Sequence, residues 1–164
     1  MLKAELLRAQ IVAHNQFFRE NPDQLEVYVK KAQVISTGRP SPSFTYVYDL
    51  NVLAMDYPGN IDDLTLPILA WAYVHQPELL FNPAKREDGI GFEAEILNND
   101  TADILYVIKA SELVIVTKDP DGKVTVTHRD QPRHFEDEPG SQWSEILVKA
   151  ADGDEITLPE GRNV

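Results

Sequence analysis

The sequence contains no cysteine, and this absence excludes disulfides, thiolate nucleophiles and cysteine-based zinc sites. Basic residues are also few, because 15 lysines and arginines stand against 27 aspartates and glutamates, which gives a formal net charge of -12. The electrostatic attraction that dominates affinity for nucleic acid is therefore missing over most of the surface. We expect no sequence-specific binding to nucleic acid.

Long hydrophobic runs are absent as well. No apolar stretch approaches the roughly 20 residues that a membrane-spanning helix needs. The start of the chain carries charges at Lys3, Glu5 and Arg8, where a secretion signal has an unbroken apolar region. We therefore expect a soluble protein, without a membrane partner, that stays in the compartment where it is made. With 164 residues the chain is long enough for one compact core and short for two.

The N-terminal half predicts one helix followed by two strands. Apolar residues recur every three or four positions through residues 2–20, which is the spacing of an amphipathic helix, and Pro22 ends the pattern. Residues 25–35 and 43–55 then alternate apolar and polar side chains and are rich in β-branched and aromatic residues. These two segments are therefore predicted strands.

Residues 64–74, LTLPILAWAYV, predict a helix that is apolar on almost every side. Proline is tolerated best in the first turn, so we place the start of this helix close to Pro67. One side of the helix can lie on a sheet, while the other needs the N-terminal helix or a neighbouring subunit as cover. Both remain open, and we expect a subunit interface to contribute. The interface candidates are Leu66, Leu69, Trp71 and Tyr73.

Residues 90–108 predict a β-hairpin whose register follows from its apolar positions. A three-residue loop at residues 98–100 makes three apolar pairs coincide: Ile96 with Ala102, Ala94 with Ile104, and Phe92 with Tyr106. We expect this face to pack in the core. The loop residues are asparagine and aspartate, which tolerate the left-handed conformation that we expect there. A second hairpin follows, with its turn at residues 119–122.

The C-terminal part differs in composition from the rest. Residues 129–142 shift to prolines and charges, which predicts a linker, and residues 143–164 predict a β-hairpin arm. A hairpin of this size is too small to be stable alone, so we expect it to dock on the body or a partner, with Trp143 as the candidate anchor. Residues 1–128 predict an α+β domain in which two main helices pack on one face of a mainly antiparallel sheet of four or more strands.

The most plausible chemical site is acidic. In the predicted register Glu95 lies opposite Asp103, and Glu93 shares their outward face, although like charges opposed across strands destabilise a sheet. Three explanations compete: a solvated face, a neighbouring subunit that supplies Lys85 and Arg86, or a site for Mg²⁺ or Ca²⁺ or for acid–base catalysis. We favour the solvated face.

Other catalytic patterns are missing from the sequence. The four histidines occupy different predicted elements at no ligand spacing, and Gly89 and Gly91 begin a strand instead of opening a helix as a nucleotide-binding loop does. No complete catalytic constellation is found. We expect no enzymatic activity and no cofactor.

Several segments resemble the tail completion protein R (GpR) family of contractile-tailed, peduovirus-like temperate phages. They are NPDQL at residues 21–25, SFTYVYDLNV at 43–52, LPILAW at 66–71 and QPELLFNPAKREDGIGFEAEILNNDTAD at 76–103, and the resemblance ends near Val116. It implies a structural protein that completes or terminates the tail before head joining. It also implies contacts with a second tail completion protein, the tail tube and the head–tail connector, and a homo-hexameric ring. The implied location is the bacterial host cytoplasm during assembly and then the virion tail.

Two functions of other classes remain open. A small metal-dependent hydrolase or nuclease would use Glu93, Glu95 and Asp103, and bound Mg²⁺ or Ca²⁺ would stabilise it against heat. An acidic interaction or inhibitor module would bind a basic partner in a way that weakens with salt. The order and spacing of the resembling segments favour the role in the phage tail.

Overall fold

The computed structural model describes residues 1–129. The helices are α1 (Leu2–His14), α2 (Gln16–Glu20), α3 (Asp62–His75), α4 (Glu78–Phe81) and α5 (Pro83–Arg86), with a 3-10 turn at Pro22–Gln24. The strands are β1 (Leu25–Ser36), β2 (Phe44–Tyr57), β3 (Ile90–Ile96), β4 (Ala102–Lys118) and β5 (Val124–Arg129). The predicted arm with Trp143, and the predicted linker beyond Arg129, lie outside the described residues. The predicted α+β class is confirmed.

The five strands form one antiparallel sheet in the order β1-β2-β4-β3, and β5 also pairs with β4. β3 lies against the first part of β4, up to Ile108, while β5 lies against the last part, from Leu113 onward. Both therefore occupy the same side of β4, and β1 forms the opposite edge of the sheet. One long strand thus serves both of the predicted hairpins.

The predicted register of the β3–β4 hairpin is confirmed, including the opposition of Glu95 and Asp103. The left-handed conformation expected in its loop is wrong, because the positive φ angles of non-glycine residues within residues 1–129 are at Lys31 and Asp56. Instead, the Asn98 side-chain oxygen accepts hydrogen bonds from the amides of Asp100 and Thr101, at 2.8 Å each. A side chain that bonds the backbone in this way turns the chain without left-handed residues.

The single N-terminal helix predicted from periodicity is interrupted. Asn15 has extended angles, φ -132 and ψ 112, and separates α1 from α2. Its side-chain amide donates a buried hydrogen bond to the Tyr57 hydroxyl at 3.0 Å. The rings of Phe17 and Phe18 pack against the same tyrosine, so the break turns α2 onto the end of β2.

The predicted start of α3 near Pro67 is also wrong, because the helix begins at Asp62. The Asn60 side chain accepts a hydrogen bond from the Asp62 amide at 3.0 Å, immediately before the helix. Pro67 consequently lies inside the helix, where it removes one backbone donor. The first turn therefore forms ahead of the proline.

α1 and α3 pack against each other and on the same face of the sheet. The core contains Leu7 and Ile11 of α1, Leu64, Ile68 and Trp71 of α3, Leu50 and Val52 of β2, and Ile104, Tyr106 and Ile108 of β4. Every residue from 64 to 74 is buried or half-buried in the single chain. α1 therefore supplies the second cover that the apolar helix requires. No helix within residues 1–129 is long and apolar enough to cross a membrane.

Candidate interaction surfaces

The acidic residues predicted from the hairpin register have separate roles in the structure. Glu93 and Glu95 are exposed, whereas Asp103 is half-buried and its Oδ1 accepts a hydrogen bond from the Asp56 amide at 2.9 Å. Asp56 lies where the β2–β4 pairing is irregular and has a φ of 52°. Asp103 therefore holds this irregular backbone in place. Within residues 1–129 no group of three or more histidine, aspartate or glutamate side chains is placed to hold a metal ion.

The candidate contact residues Lys85 and Arg86 lie in the one-turn helix α5. The Asn82 side chain accepts a hydrogen bond from the Ala84 amide at 3.0 Å and caps this turn. Lys85 forms an ion pair with Glu78 of the same chain, with 2.9 Å between Nζ and Oε2. Arg86 is exposed. Lys85 thus already has a carboxylate partner, while its proposed contact with a neighbouring subunit stays a prediction.

The interface candidates on α3 fall into two groups. Trp71 and Tyr73 are buried, and the Tyr73 ring packs edge-on against Phe81 with 5.8 Å between ring centroids. Leu66 and Leu69 are half-buried. The two aromatic side chains therefore contribute to the core of the single chain, and Leu66 and Leu69 keep some exposed surface.

An exposed apolar surface on β3 was not predicted. Phe92 is 55% exposed and Ile96 is 78% exposed, and the exposed Leu97 follows them. Phe92 contacts the ring of Tyr106, with 5.5 Å between centroids, but the helices leave most of its surface open. The expectation that this apolar face packs in the core holds for β4 and for Ile90, and it is wrong for the rest of β3. The side chains of β3 are exposed because β3 is an edge strand with a neighbouring strand on one side only.

The opposite edge of the sheet is also exposed. Every residue of β1 from Lys30 to Ser36 is exposed, and Val34 is 68% exposed. The β1–β2 pairing is interrupted by a bulge between Lys30 and Gln33, where Lys31 has a φ of 51°. The Lys30 ammonium lies 5.6 Å from the centre of the Tyr28 ring. This edge therefore combines two lysines with exposed aliphatic side chains.

A buried polar cluster connects the helices to the sheet, and the sequence analysis did not identify it. Gln76, which is fully buried, accepts hydrogen bonds from the Lys3 ammonium at 2.9 Å and from the Ser111 amide at 3.3 Å. Glu112 accepts a hydrogen bond from the Lys3 backbone amide at 2.9 Å. The sequence could have predicted this buried carboxylate, because Glu112 lies between Ala110 and Val114 at an inward position in the alternation of β4.

Both the family comparison and a curated relative relate the chain to one family. The chain matches the P2 phage tail completion protein R (GpR) family over residues 1–132. It is 32% identical to the tail completion protein R of Escherichia phage P2 over 132 residues, which are 80% of this chain and 84% of that protein. No solved structure is significantly similar to the chain. The similarity therefore extends beyond Val116 and spans every described helix and strand.

Proposed function

Because the chain belongs to the P2 phage tail completion protein R (GpR) family, we propose that it completes or terminates the phage tail through protein–protein contacts, before the tail joins the head. Its role in tail assembly is structural. The observation that carries this conclusion is the match over residues 1–132, which includes the whole described fold.

The protein acts in the tail as a ring of six copies. A ring of identical subunits needs two different surfaces on each copy that complement each other. The edges of the sheet at β1 and β3 support this proposal, since they are different surfaces at opposite ends of one sheet. The partners of the ring are a second tail completion protein, the tail tube and the head–tail connector. Assembly takes place in the cytoplasm of the bacterial host.

The acidic character of the chain fits a position around a channel that DNA crosses. The formal charge is -12, so most of the surface that a ring of copies could turn towards a channel is acidic. Like charge repels phosphates, so DNA would pass such a surface without binding to it. A ring structure with a neutral or basic channel would contradict this assignment.

The site geometry favours protein contacts over hydrolysis. A metal-dependent hydrolase would need Glu93, Glu95 and Asp103 to converge on one ion. Asp103 instead bonds the Asp56 amide, and the three residues do not form a metal-binding group. We therefore assign no catalytic step to this protein.

Deletion of the gene from an inducible prophage tests the proposed function. After induction, electron microscopy of the lysate is expected to show headless or abnormally long tails. Supplying the wild-type gene from a plasmid is the control and is expected to restore complete particles. Normal infectious virions from the deletion strain would contradict the role in tail completion.

A further inference from the structure

We propose that neighbouring copies join head to tail, with the β1 edge of one copy, from Lys30 to Ser36, against the β3 edge of the next, Ile90–Ile96. The existence of a ring is taken from the proposed function. The new element is the pair of surfaces through which neighbouring copies of the ring contact each other. The occupant of each edge is thus a second copy of this chain.

Both edges have unpaired backbone in the described part of the chain. β1 pairs only with β2, and β3 pairs only with β4, so the outer side of each strand presents free amides and carbonyls. Such edges are templates for pairing with another strand. Within Lys30–Ser36 the bulge at Lys31 and Ala32 limits a regular ladder to the residues from Gln33 onward. The two lysines contribute through their side chains, although the Lys31 ammonium already lies 3.9 Å from Asp49 of its own chain.

Strand direction allows the sheet to continue from one copy to the next. Each neighbouring pair in the order β1-β2-β4-β3 is antiparallel, so β1 and β3 run in opposite directions. A second copy in the same orientation therefore presents its β3 antiparallel to β1, with its helices on the same face. The contact extends the existing antiparallel pattern and requires no inversion of either copy.

Side chains of matching character lie on each face of the proposed contact. Cross-strand partners share a face, and their pairings place Val34, Phe92 and Ile96 on the helix-covered face. These three aliphatic and aromatic side chains are 68%, 55% and 78% exposed, so contact of Val34 with the apolar side chains of β3 removes apolar surface from water. On the other face, the antiparallel register that sets Val34 opposite Phe92 brings Lys30 of one copy towards Glu95 of the next, with Glu93 two residues along the same strand.

The charges favour this contact over a two-fold one. Pairing β3 with β3 would bring Glu93 and Glu95 against the same residues of the second copy, and pairing β1 with β1 would bring Lys30 against Lys30 or Lys31. Like charges opposed across strands are destabilising, whereas opposite charges are favourable. The distribution of charge therefore selects a contact between different edges, which is the kind that generates rings.

The absence of native cysteine permits a disulfide test in assembled tails. Val34→Cys is combined in turn with Phe92→Cys, Ala94→Cys or Ile96→Cys, and each full-length variant is supplied to an induced prophage that lacks the gene. Mild oxidation of purified tails is expected to give a ladder of disulfide-linked multimers with at least one pair. The matched control combines Val34→Cys with Glu95→Cys, on the opposite face of β3, and is expected to give none.

The outcomes separate this interface from the ring itself. A ladder supports the interface, and single-cysteine variants are expected to stay monomeric on the gel. In a second outcome no disulfide ladder forms, but an amine-reactive reagent still yields multimers. In that case the ring stands and the interface is wrong. Residues 130–164 or another tail protein would then be the occupant to test at these edges. If that reagent yields none, the ring is wrong. Dimers from Val34→Cys alone would overturn the head-to-tail arrangement.

Charge exchange provides a second, independent measurement. Lys30→Glu, or Glu93→Lys with Glu95→Lys, is expected to lower the yield of infectious phage by about tenfold or more, because like charges then oppose each other. The combined variant is expected to restore the yield. Asp119→Lys with Asp121→Lys, in the exposed β4–β5 turn, is the matched control and leaves the yield unchanged. The unfolding temperature of the combined variant shows whether it is folded. If it unfolds at the same temperature as the wild type and the yield of infectious phage still does not recover, the charge match is wrong.

Discussion

The carboxylate of Glu112 lies 2.9 Å from the Nδ1 atom of His128, so a buried acidic residue of β4 holds the end of β5. Its other oxygen accepts a hydrogen bond from the Lys3 amide, at the start of α1. One carboxylate thus connects β4 with the adjacent β5 and with α1, which lies more than 100 residues earlier in the sequence. Removing one member of such a buried set leaves polar groups without partners, at a high cost in stability.

Glu112→Ala is expected to lower the free energy of unfolding by about 3 kcal/mol, because the Lys3 amide and the His128 ring lose their acceptor at a buried position. Urea denaturation followed by circular dichroism measures this difference. Glu26→Ala, an exposed residue of β1, is the matched control and is expected to change stability by less than about 0.5 kcal/mol. Equal losses in the two variants would contradict the structural role of Glu112.

The Tyr48 hydroxyl gives the fold a sensitivity to alkaline pH. It has no hydrogen-bond partner in the described part of the chain, and burial, followed by the charge of Glu112, raises the pKa of this group. In the unfolded chain tyrosine ionises near pH 10, so above about that pH the unfolded state releases a proton that the folded state keeps. Stability therefore falls as the pH rises above about 10 and is unaffected by this group below it.

Tyr48→Phe is expected to reduce the alkaline loss without abolishing it, because burial also raises the pKa of Tyr106. At neutral pH the variant is expected to keep its stability or gain up to about 1 kcal/mol, because no hydrogen bond is lost. Tyr106→Phe is the matched contrast, since the Tyr106 hydroxyl lies 2.6 Å from Thr65 Oγ1. That variant is expected to lose about 1 kcal/mol at neutral pH. Thermal unfolding at neutral and alkaline pH compares them. A steeper alkaline loss in Tyr48→Phe than in the wild type would contradict this account.

Features that depend on neighbouring residues were predictable from the sequence. The pairing of Phe92 with Tyr106 followed from alternation alone, because a shift of one residue would turn every side chain of the strand to the other face. The apolar character of residues 64–74 likewise required a helix covered on both sides. The acidic pair Glu95 and Asp103 was placed correctly for the same reason.

Features set by distant contacts were not predictable. The break at Asn15 depends on a hydrogen bond to Tyr57, 42 residues away, and the role of Asp103 depends on Asp56, 47 residues away. The exposure of Phe92 depends on strand order, since alternation gives the face of a side chain but not whether its strand lies at the edge. The candidate contact surface therefore emerged only from the sheet topology.

Addition of Mg²⁺ or Ca²⁺ is expected to leave the unfolding temperature unchanged, because Asp103 bonds the Asp56 amide and does not converge with Glu93 and Glu95 on one ion. Differential scanning fluorimetry with each ion in excess measures the shift. Asp103→Ala is expected to lose about 1 to 2 kcal/mol of stability without any ion, since the Asp56 amide loses its acceptor. A rise with either ion in the wild type that disappears in Asp103→Ala would support the metal-dependent hydrolase.

The β3–β4 hairpin contains two isoleucines on the same face with opposite environments. Ile96 is 78% exposed and Ile104 is 4% exposed. Ile104→Ala is expected to destabilise the isolated protein by about 3 kcal/mol, because it leaves a cavity in the core. Ile96→Ala is expected to cost less than about 0.5 kcal/mol. Urea denaturation of the two variants measures the difference.

If the exposed face of β3 contacts a neighbouring copy, the same two variants separate an effect on assembly from an effect on stability. Ile96→Ala is then expected to fold normally and yet to reduce the number of infectious particles when it replaces the wild-type gene in an induced prophage. Ile104→Ala reduces that number only together with the amount of folded protein. A folded Ile96→Ala protein that supports a wild-type yield of particles would exclude Ile96 from the contact, because the substitution removes most of its exposed apolar surface.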